Sequence, residues 1–276
     1  MTEKTEISLL GARDKIDAID TEIHNLLMKR AELVENIQSA KQALGPIVNA
    51  MHADREIEMF RRFSENHKGC LPIASLQRMF REMIATFSHL QCPFRVFILK
   101  GDPLYRDMAR YFYGTVIEVI ECDDVEQMLE HIITPTSDVA LLPADAESLF
   151  RFDKQVNKTK NDDLTKKCHI FARLPFWDSA EEYGLYLPDM FVLGHAPMKP
   201  TKYDYSMFSI EANLETARTI MGELGFEIEY QVEYEQVLYC TIKKFVVTPT
   251  DILQDIERHF KKQDITLTCL GVYGKV

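Results

Sequence analysis

The sequence predicts a multidomain protein, with an all-helical first third followed by mixed α/β structure. Helical periodicity runs over residues 9–91 without an intervening strand pattern. From residue 93 onward, short apolar runs typical of strands alternate with helical segments. Residues 201–276 then read β-α-β-β-α-β, the ferredoxin-like order. We therefore predict three domains, over residues 1–92, 93–200 and 201–276.

The first element is a long amphipathic helix, predicted from about Leu9 to Leu44. Such a helix would span roughly 50 Å, and helices of that length usually pack against a partner along their length. We therefore expect a homodimer whose seam is this helix. Its apolar stripe, at three- and four-residue spacing, consists of Ile16, Ile19, Ile23, Leu26, Leu27, Leu33, Val34 and Ile37.

Three cations lie along the same helix. Arg30 and Lys41 are eleven residues apart, so they point within roughly 20° of each other, and Arg30 lies inside the apolar stripe. Arg13 points roughly 100° away and lies about 25 Å down the axis from Arg30. Periodicity alone favours long side chains at the edge of a coiled-coil seam. If Arg13 serves the same chemistry as the other two, it must reach the site of a second subunit.

Two shorter helices are predicted next, the first over residues 53–66 and the second over 72–91. Gly45 and Pro46 end the long helix, and Pro72 suits the first turn of the third. From residue 93 onward, strand patterns alternate with helical patterns, which predicts a small parallel or mixed sheet. Within it, we predict an exposed polar loop over residues 153–167. Residues 198–201 are predicted to be a linker.

Composition excludes several classes of partner. The net charge is −11, from 32 basic and 43 acidic residues, which argues against nucleic acid or an anionic membrane as the main partner. No apolar run approaches the roughly 18 residues of a membrane span. The six cysteines occur singly, without CxxC spacing, and are typical of reduced thiols in a cytoplasmic protein. We expect no metal and no cofactor.

Four segments of the first ninety residues, ARDKIDAID, LLMKRAELVENIQSAK, ADREIE and FREMIATFSHLQ, resemble the all-helical chorismate mutase family in order and near-family spacing. The resemblance implies a cofactor-free, pericyclic rearrangement of chorismate to prephenate in aromatic amino acid biosynthesis. It also implies an intertwined dimer in which each site receives one arginine from the partner subunit.

The resemblance assigns a role to each matched residue. Arg13 of the partner subunit and Arg30 would bind the two carboxylates of the substrate, where a guanidinium fork suits bidentate binding. Lys41 would donate to the ether oxygen as the C–O bond breaks, with Gln91 as its neutral partner. Together these groups would form a preorganised electrostatic clamp on the folded substrate.

Two further matched residues adjoin each other, and two positions depart from the family. Arg55 would act at the carboxylate end of the substrate, and Glu56 on its hydroxyl.

His52 stands where the family has an acidic residue, and Phe87 stands where it has a small hydroxyl residue. Ser88 is adjacent to that second position. A phenylalanine facing the pocket would crowd the substrate, so these changes bear on the efficiency of the site.

The remaining chain follows the order of chorismate mutases fused to prephenate dehydratase and an ACT domain. Residues 93–200 are too few for an intact dehydratase, and the Thr-Arg-Phe signature of its active site is missing. Arg173 remains a conceivable anion ligand, but we predict a degenerate, catalytically inactive lobe. The segments at Asn213–Glu215 and Glu233–Glu235 replace those that bind phenylalanine in the family, so a scaffold or dimerisation role is favoured for the last domain.

Three hypotheses follow from the sequence. The first is a working chorismate mutase with a decayed dehydratase-like and ACT-like tail. The second is a non-catalytic, dimeric regulatory or sensor protein, which the changes at His52 and Phe87 favour. The third is a bifunctional chorismate mutase–prephenate dehydratase, which the missing signature disfavours.

Overall fold

The structure, a computed structural model, describes residues 3–45, 49–158, 167–176, 187–197, 199–246 and 251–276. The chain divides into two compact units, residues 1–47 and residues 48–276. Among the described residues, no helix combines the length and the apolar character needed to cross a membrane.

The described residues of the first unit form one long helix, α1 (Glu3–Leu44), which confirms the predicted helix and begins six residues before Leu9. Its apolar stripe is largely exposed to solvent: Ile16 and Leu33 are 56% and 58% exposed. Exposed apolar stripes of this kind are typical of helices that pack against another surface.

The second unit begins with the two predicted shorter helices, α2 (Ala53–Asn66) and α3 (Ile73–Gln91), and Pro72 occupies the N-cap of α3. Both helices bury one face in a hydrophobic core that continues past residue 92. Phe60 of α2 and Ile84 of α3 belong to this core together with Phe112 and Phe176. The two helices are therefore built onto the α/β structure that follows them.

Within the described ranges, the α/β part has five strands and three helices, and β5 runs opposite to the other four strands. In chain order these elements are β1 (Val96–Leu99), α4 (Pro103–Tyr113), β2 (Val119–Cys122), α5 (Val125–Glu130), β3 (Val139–Pro143), α6 (Ala146–Lys158), β4 (His169–Leu174) and β5 (Met190–Gly194). Strand β1 pairs in parallel with β2 and β3, whereas β5 pairs antiparallel with β3 and β4.

Helix α6 overturns part of one prediction. The expected polar loop over residues 153–167 is wrong at its start, because residues 153–158 are the last part of α6. Leu149, Phe152 and Val156 repeat at three- and four-residue spacing and are buried, so the segment is an amphipathic helix with one core face. Residues 159–166 lie outside the described part of the chain.

The last part of the chain continues with strand, helix, strand, strand, helix and strand. These elements are β6 (Asp204–Ile210), α7 (Leu214–Glu223), β7 (Ile228–Tyr234), β8 (Val237–Ile242), α8 (Asp251–Lys261) and β9 (Leu267–Gly274). Asn213 caps α7 by accepting a hydrogen bond from the Thr216 amide through its side chain. The strands lie in the order β9-β6-β8-β7 with antiparallel neighbours.

One sheet joins the two halves of the second unit. Its nine described strands have the order β2-β1-β3-β5-β4-β9-β6-β8-β7. The junction is a parallel pairing of β4 with β9, in which Ile170 is the register partner of Gly271. The α/β half and the C-terminal half therefore share a continuous backbone ladder.

Candidate functional site

Helix α1 carries three of the predicted site residues, and Arg30 has a distinctive place in it. The residues at alternating three- and four-residue steps form a heptad seam. That seam consists of Ile16, Ile19, Ile23, Leu26, Arg30, Leu33 and Ile37. Arg30 is thus a charged residue at a seam position. It is half-buried, and burial lowers the pKa of its guanidinium.

The other two cations lie on the same helix outside that seam. Lys41 is half-buried and lies three turns beyond Arg30 on nearly the same side, as its spacing predicts. Arg13 is exposed and lies near the other end. These three residues belong to the first unit, whereas the remaining predicted site residues belong to the second.

Helix α2 presents the adjacent residues Arg55 and Glu56 in different surroundings. Arg55 is exposed, whereas the Glu56 side chain is 14% exposed. Oε2 of Glu56 accepts a hydrogen bond from Nη1 of Arg81 on α3. His52, at the N-cap of α2, accepts a hydrogen bond from the Glu56 amide at 3.1 Å through its carbonyl oxygen. Glu56 is therefore held by its backbone and by its carboxylate.

Arg81 is a buried cation that the sequence reasoning missed. It is 3% exposed, and its Nε donates to the carbonyl oxygen of Phe112 at 3.1 Å. Its guanidinium carbon lies 5.0, 5.8 and 5.3 Å from the ring centroids of Phe112, Tyr113 and Phe176. Each ring attracts the cation through its quadrupole. The available signal was an arginine on the inward stripe of α3, one turn before Ile84.

A small cavity of about 20 Å³ lies beside this ion pair, with Glu56, Arg81 and Ser88 among the residues that line it. It has room for about one water molecule, so it does not accommodate a bicarboxylate substrate. Tyr113 also lines it, and burial raises the pKa of its hydroxyl, with the Glu56 charge acting in the same direction. Aromatic rings therefore surround the ion pair, and the space beside it is no larger than about one water molecule.

Phe87 and Gln91 lie on a different face of α3 from Ser88. They are four residues apart, so their azimuths differ by about 40°, and Nε2 of Gln91 donates to the Phe87 carbonyl oxygen at 3.1 Å. Neither residue is among those that line the small cavity, whereas the buried Ser88 is. The structure thus places Glu56 and Ser88 at one cavity, and it bonds the Gln91 side chain to the main chain of Phe87.

Arg173, considered as an anion ligand, has an acidic partner. Its Nη2 donates to Oδ2 of Asp189 at 2.7 Å, and its guanidinium carbon lies 5.5 Å from the ring centroid of Tyr230. The carboxylate compensates the charge of the guanidinium. Within the described ranges, no group of three or more His, Cys, Asp or Glu side chains is placed to hold a metal ion.

Comparison with known proteins identifies a family for the helical first third of the chain. Residues 12–92 match the family model of chorismate mutase type II. The chain is 25% identical over 146 residues to a bifunctional chorismate mutase/prephenate dehydratase of Neisseria gonorrhoeae, and 26% identical over 136 residues to one of Aquifex aeolicus. These alignments cover 52% and 48% of this chain, but only 39% and 38% of the relatives.

The fold was also compared with solved structures. A prephenate dehydratase from Streptococcus mutans aligns with 66% of this chain and 98% of its own, at 10% identity and a TM-score of 0.43. A likeness at this level says nothing about activity. The family match is different, since its span includes each of the polar residues predicted for the site, from Arg13 to Gln91.

Proposed function

We propose that this chain, which carries a chorismate mutase type II domain over residues 12–92, rearranges chorismate to prephenate in aromatic amino acid biosynthesis. One observation carries the proposal: the matched residues 12–92 include every polar residue predicted for the site. In the proposed site, Arg30 and the partner subunit's Arg13 bind the carboxylates, and Lys41 and Gln91 bind the ether oxygen. Fixed donors that match the charge developed in the transition state lower the barrier without a covalent step.

The residues of α2 complete the proposed site. Arg55 is exposed and available to a carboxylate, and Glu56 would accept the hydrogen bond of the substrate hydroxyl. The chain spans about two fifths of the length of the curated relatives it matches, so its activity has to be measured. The test is a chorismate-to-prephenate assay of the purified chain and of Arg30→Ala.

The assay has two clear results. We expect a rate above the uncatalysed reaction, and a loss of at least about a hundredfold in kcat/KM for Arg30→Ala, since a bidentate charged contact is removed. No rate above background would overturn the proposal and favour the non-catalytic, regulatory alternative. Glu22→Ala, which removes a charge from an exposed position of α1 off the seam, is the matched control and should leave the rate unchanged.

We also infer that the working form is a homodimer joined through α1. The exposed apolar stripe supports this, because a helix of 42 residues with a solvent-facing heptad seam gains stability from a partner helix. Arg30 would lie within that seam, partly removed from water, and the lower local dielectric would strengthen its attraction for an anion. Analytical ultracentrifugation tests the stoichiometry.

We propose further that the α/β half lacks dehydratase activity. The pairing of Arg173 with Asp189 supports this, since it leaves the guanidinium charge compensated. The curated relatives are described as bifunctional, so the discriminating experiment is direct. Phenylpyruvate formed from added prephenate would establish the bifunctional alternative, and its absence from an active mutase would support the inactive lobe.

We infer that residues 201–276 form a ferredoxin-like, ACT-like domain. The strand order β9-β6-β8-β7 with antiparallel neighbours supports this, because that order and the β-α-β-β-α-β sequence of elements define the ferredoxin-like plan. Calorimetric titration of the full chain with aromatic amino acids tests whether the domain binds a ligand.

A further inference from the structure

We propose that Arg81 is a positioning residue for the mutase reaction, which holds the Glu56 carboxylate in place for the substrate hydroxyl. The inference rests on the proposed function, because it assigns Glu56 to substrate. It adds a residue of α3 that contacts no substrate and acts through its ion pair with α2.

The first step of the argument is that Arg81 has little freedom to move. It is 3% exposed, and its Nε is bonded to the Phe112 carbonyl oxygen of α4. Three aromatic rings surround its guanidinium at 5.0–5.8 Å. An arginine cannot discard its charge when buried, so it needs a carboxylate nearby. Glu56 supplies that carboxylate.

The second step is that the ion pair occupies one edge of the carboxylate. Oε2 of Glu56 accepts from Arg81, and within the described part of the chain Arg81 is the side chain bonded to that carboxylate. Among the described residues, no side chain donates to Oε1, and a carboxylate can accept several hydrogen bonds at once. A substrate hydroxyl would meet an acceptor whose orientation is set before binding.

The third step distinguishes this pair from the other buried arginine nearby. Arg61 on α2 is 6% exposed and pairs with Glu58 at 2.7 Å, but its remaining bonds go to Thr201 and to the main chain of Tyr203 and Lys275. Arg61 therefore ties α2 to the C-terminal part of the chain, whereas Arg81 is bonded to a predicted substrate ligand. The two arginines form a matched pair for experiment.

The test measures KM and kcat for chorismate in the full-length protein, in Arg81→Gln, Arg81→Lys and Arg61→Gln. We expect Arg81→Gln to raise KM roughly tenfold or more, since a hydrogen bond to a charged group is lost from the support of Glu56. Arg81→Lys, which keeps the charge but not the fork, should restore part of the loss. A loss of folded protein alone would lower the apparent kcat and leave KM unchanged.

Each alternative result has a defined meaning. A KM for Arg81→Gln within about twofold of the wild-type value, in an active enzyme, overturns the role of Arg81 and leaves the proposed function standing. An equal rise in KM for Arg61→Gln also overturns it, because the effect would then come from a general loosening of α2. A wild-type chain without mutase activity overturns the proposed function, and the inference that rests on it.

Discussion

Gly271 of β9 faces Ile170 of β4 so closely that a Cβ atom on the glycine would overlap the Ile170 main chain. Gly271 also has φ +149°, a conformation that residues with side chains rarely adopt. The pair is the register contact at which β4 meets β9. The joining of the two halves of the sheet therefore depends on the absence of one side chain.

Gly271→Ala should destabilise the protein by on the order of 3 kcal/mol, because the methyl group strains the backbone and forces β9 away from β4. The measurement is the free energy of unfolding in urea. Gly222→Ala is the matched control, since Gly222 lies in α7 with open space around it. That variant should be neutral or more stable by up to about 1 kcal/mol. Equal effects of the two changes would contradict the prediction.

Ile23→Glu should abolish assembly and mutase activity together, because it places a charge at a heptad seam position of α1 that is 47% exposed in one protomer. The measurements are sedimentation and the rate with chorismate. Asn25→Glu adds the same charge to an exposed position off the seam, and it should retain both properties. If an Ile23→Glu monomer retains mutase activity, the prediction that assembly and activity are lost together is wrong.

Arg61→Ala should lower the free energy of unfolding by on the order of 3 kcal/mol, since it removes a buried cation. It also removes the donor that the Thr201 hydroxyl and the carbonyl oxygens of Tyr203 and Lys275 accept from. Arg258→Ala breaks an ion pair of a similar kind with Asp255, but on a surface where Arg258 is 62% exposed. It should cost less than about 0.5 kcal/mol. Chemical denaturation of both variants checks the difference.

Asp153→Asn should become increasingly stabilising as the pH rises above 3.8, the ordinary pKa of the carboxyl group. Burial raises the pKa of Asp153 in the folded protein, so the unfolded chain ionises first and the wild type loses stability as the pH rises through that window. The loss is complete above the folded pKa. The asparagine variant lacks this loss.

Unfolding in urea at pH 4 and at pH 7 measures that difference directly. Asp153 accepts from Asn157 through Oδ1 at 2.6 Å and from Tyr239 through Oδ2 at 3.3 Å. Asparagine keeps one of these two acceptor oxygens, so the variant loses one hydrogen bond at every pH, and the test is the change of the difference with pH. An advantage of the variant that stays constant with pH would show that titration of Asp153 is not the cause.

Phe87→Ser should raise kcat/KM several-fold, because Phe87 shares a face of α3 with Gln91 and the substitution replaces bulk with a hydroxyl donor. Steady-state kinetics with chorismate provide the measurement. Met79→Ser makes a similar change at a residue that is 61% exposed, and it should leave kcat/KM unaltered. A fall in kcat/KM for Phe87→Ser would place the aromatic ring outside the proposed pocket.

The helices of the first third were predictable because their apolar spacing and breaks are local signals. The predicted bounds of α2 agree with the structure, and those of α3 agree within one residue, since periodicity and Pro72 define them. Helix α6 was not predicted, because its last two turns are rich in polar side chains. Asp153 is buried there, and the Tyr239 hydroxyl that satisfies it lies 86 residues away in the sequence.

The candidate site was predictable as a set of residue types, and less so as an arrangement. Arg30 could be singled out because a charge interrupts an apolar stripe. Arg81 carries a similar signal, but its role depends on Glu56, 25 residues earlier, and on rings from α4 and beyond β4. Spacing within a helix does not reveal which face meets another element. Which face of α3 is buried likewise depends on its packing, and the buried face carries Ser88.

The shared nine-stranded sheet has a consequence for dissecting the protein. A cut near residue 200 would separate β4 from β9 and leave each with unpaired N–H and C=O groups along one side. Such open edges recruit other strands and promote aggregation. Fragments made at that position should therefore be less soluble than the whole, whereas co-expressed fragments could pair again through Ile170 and Gly271.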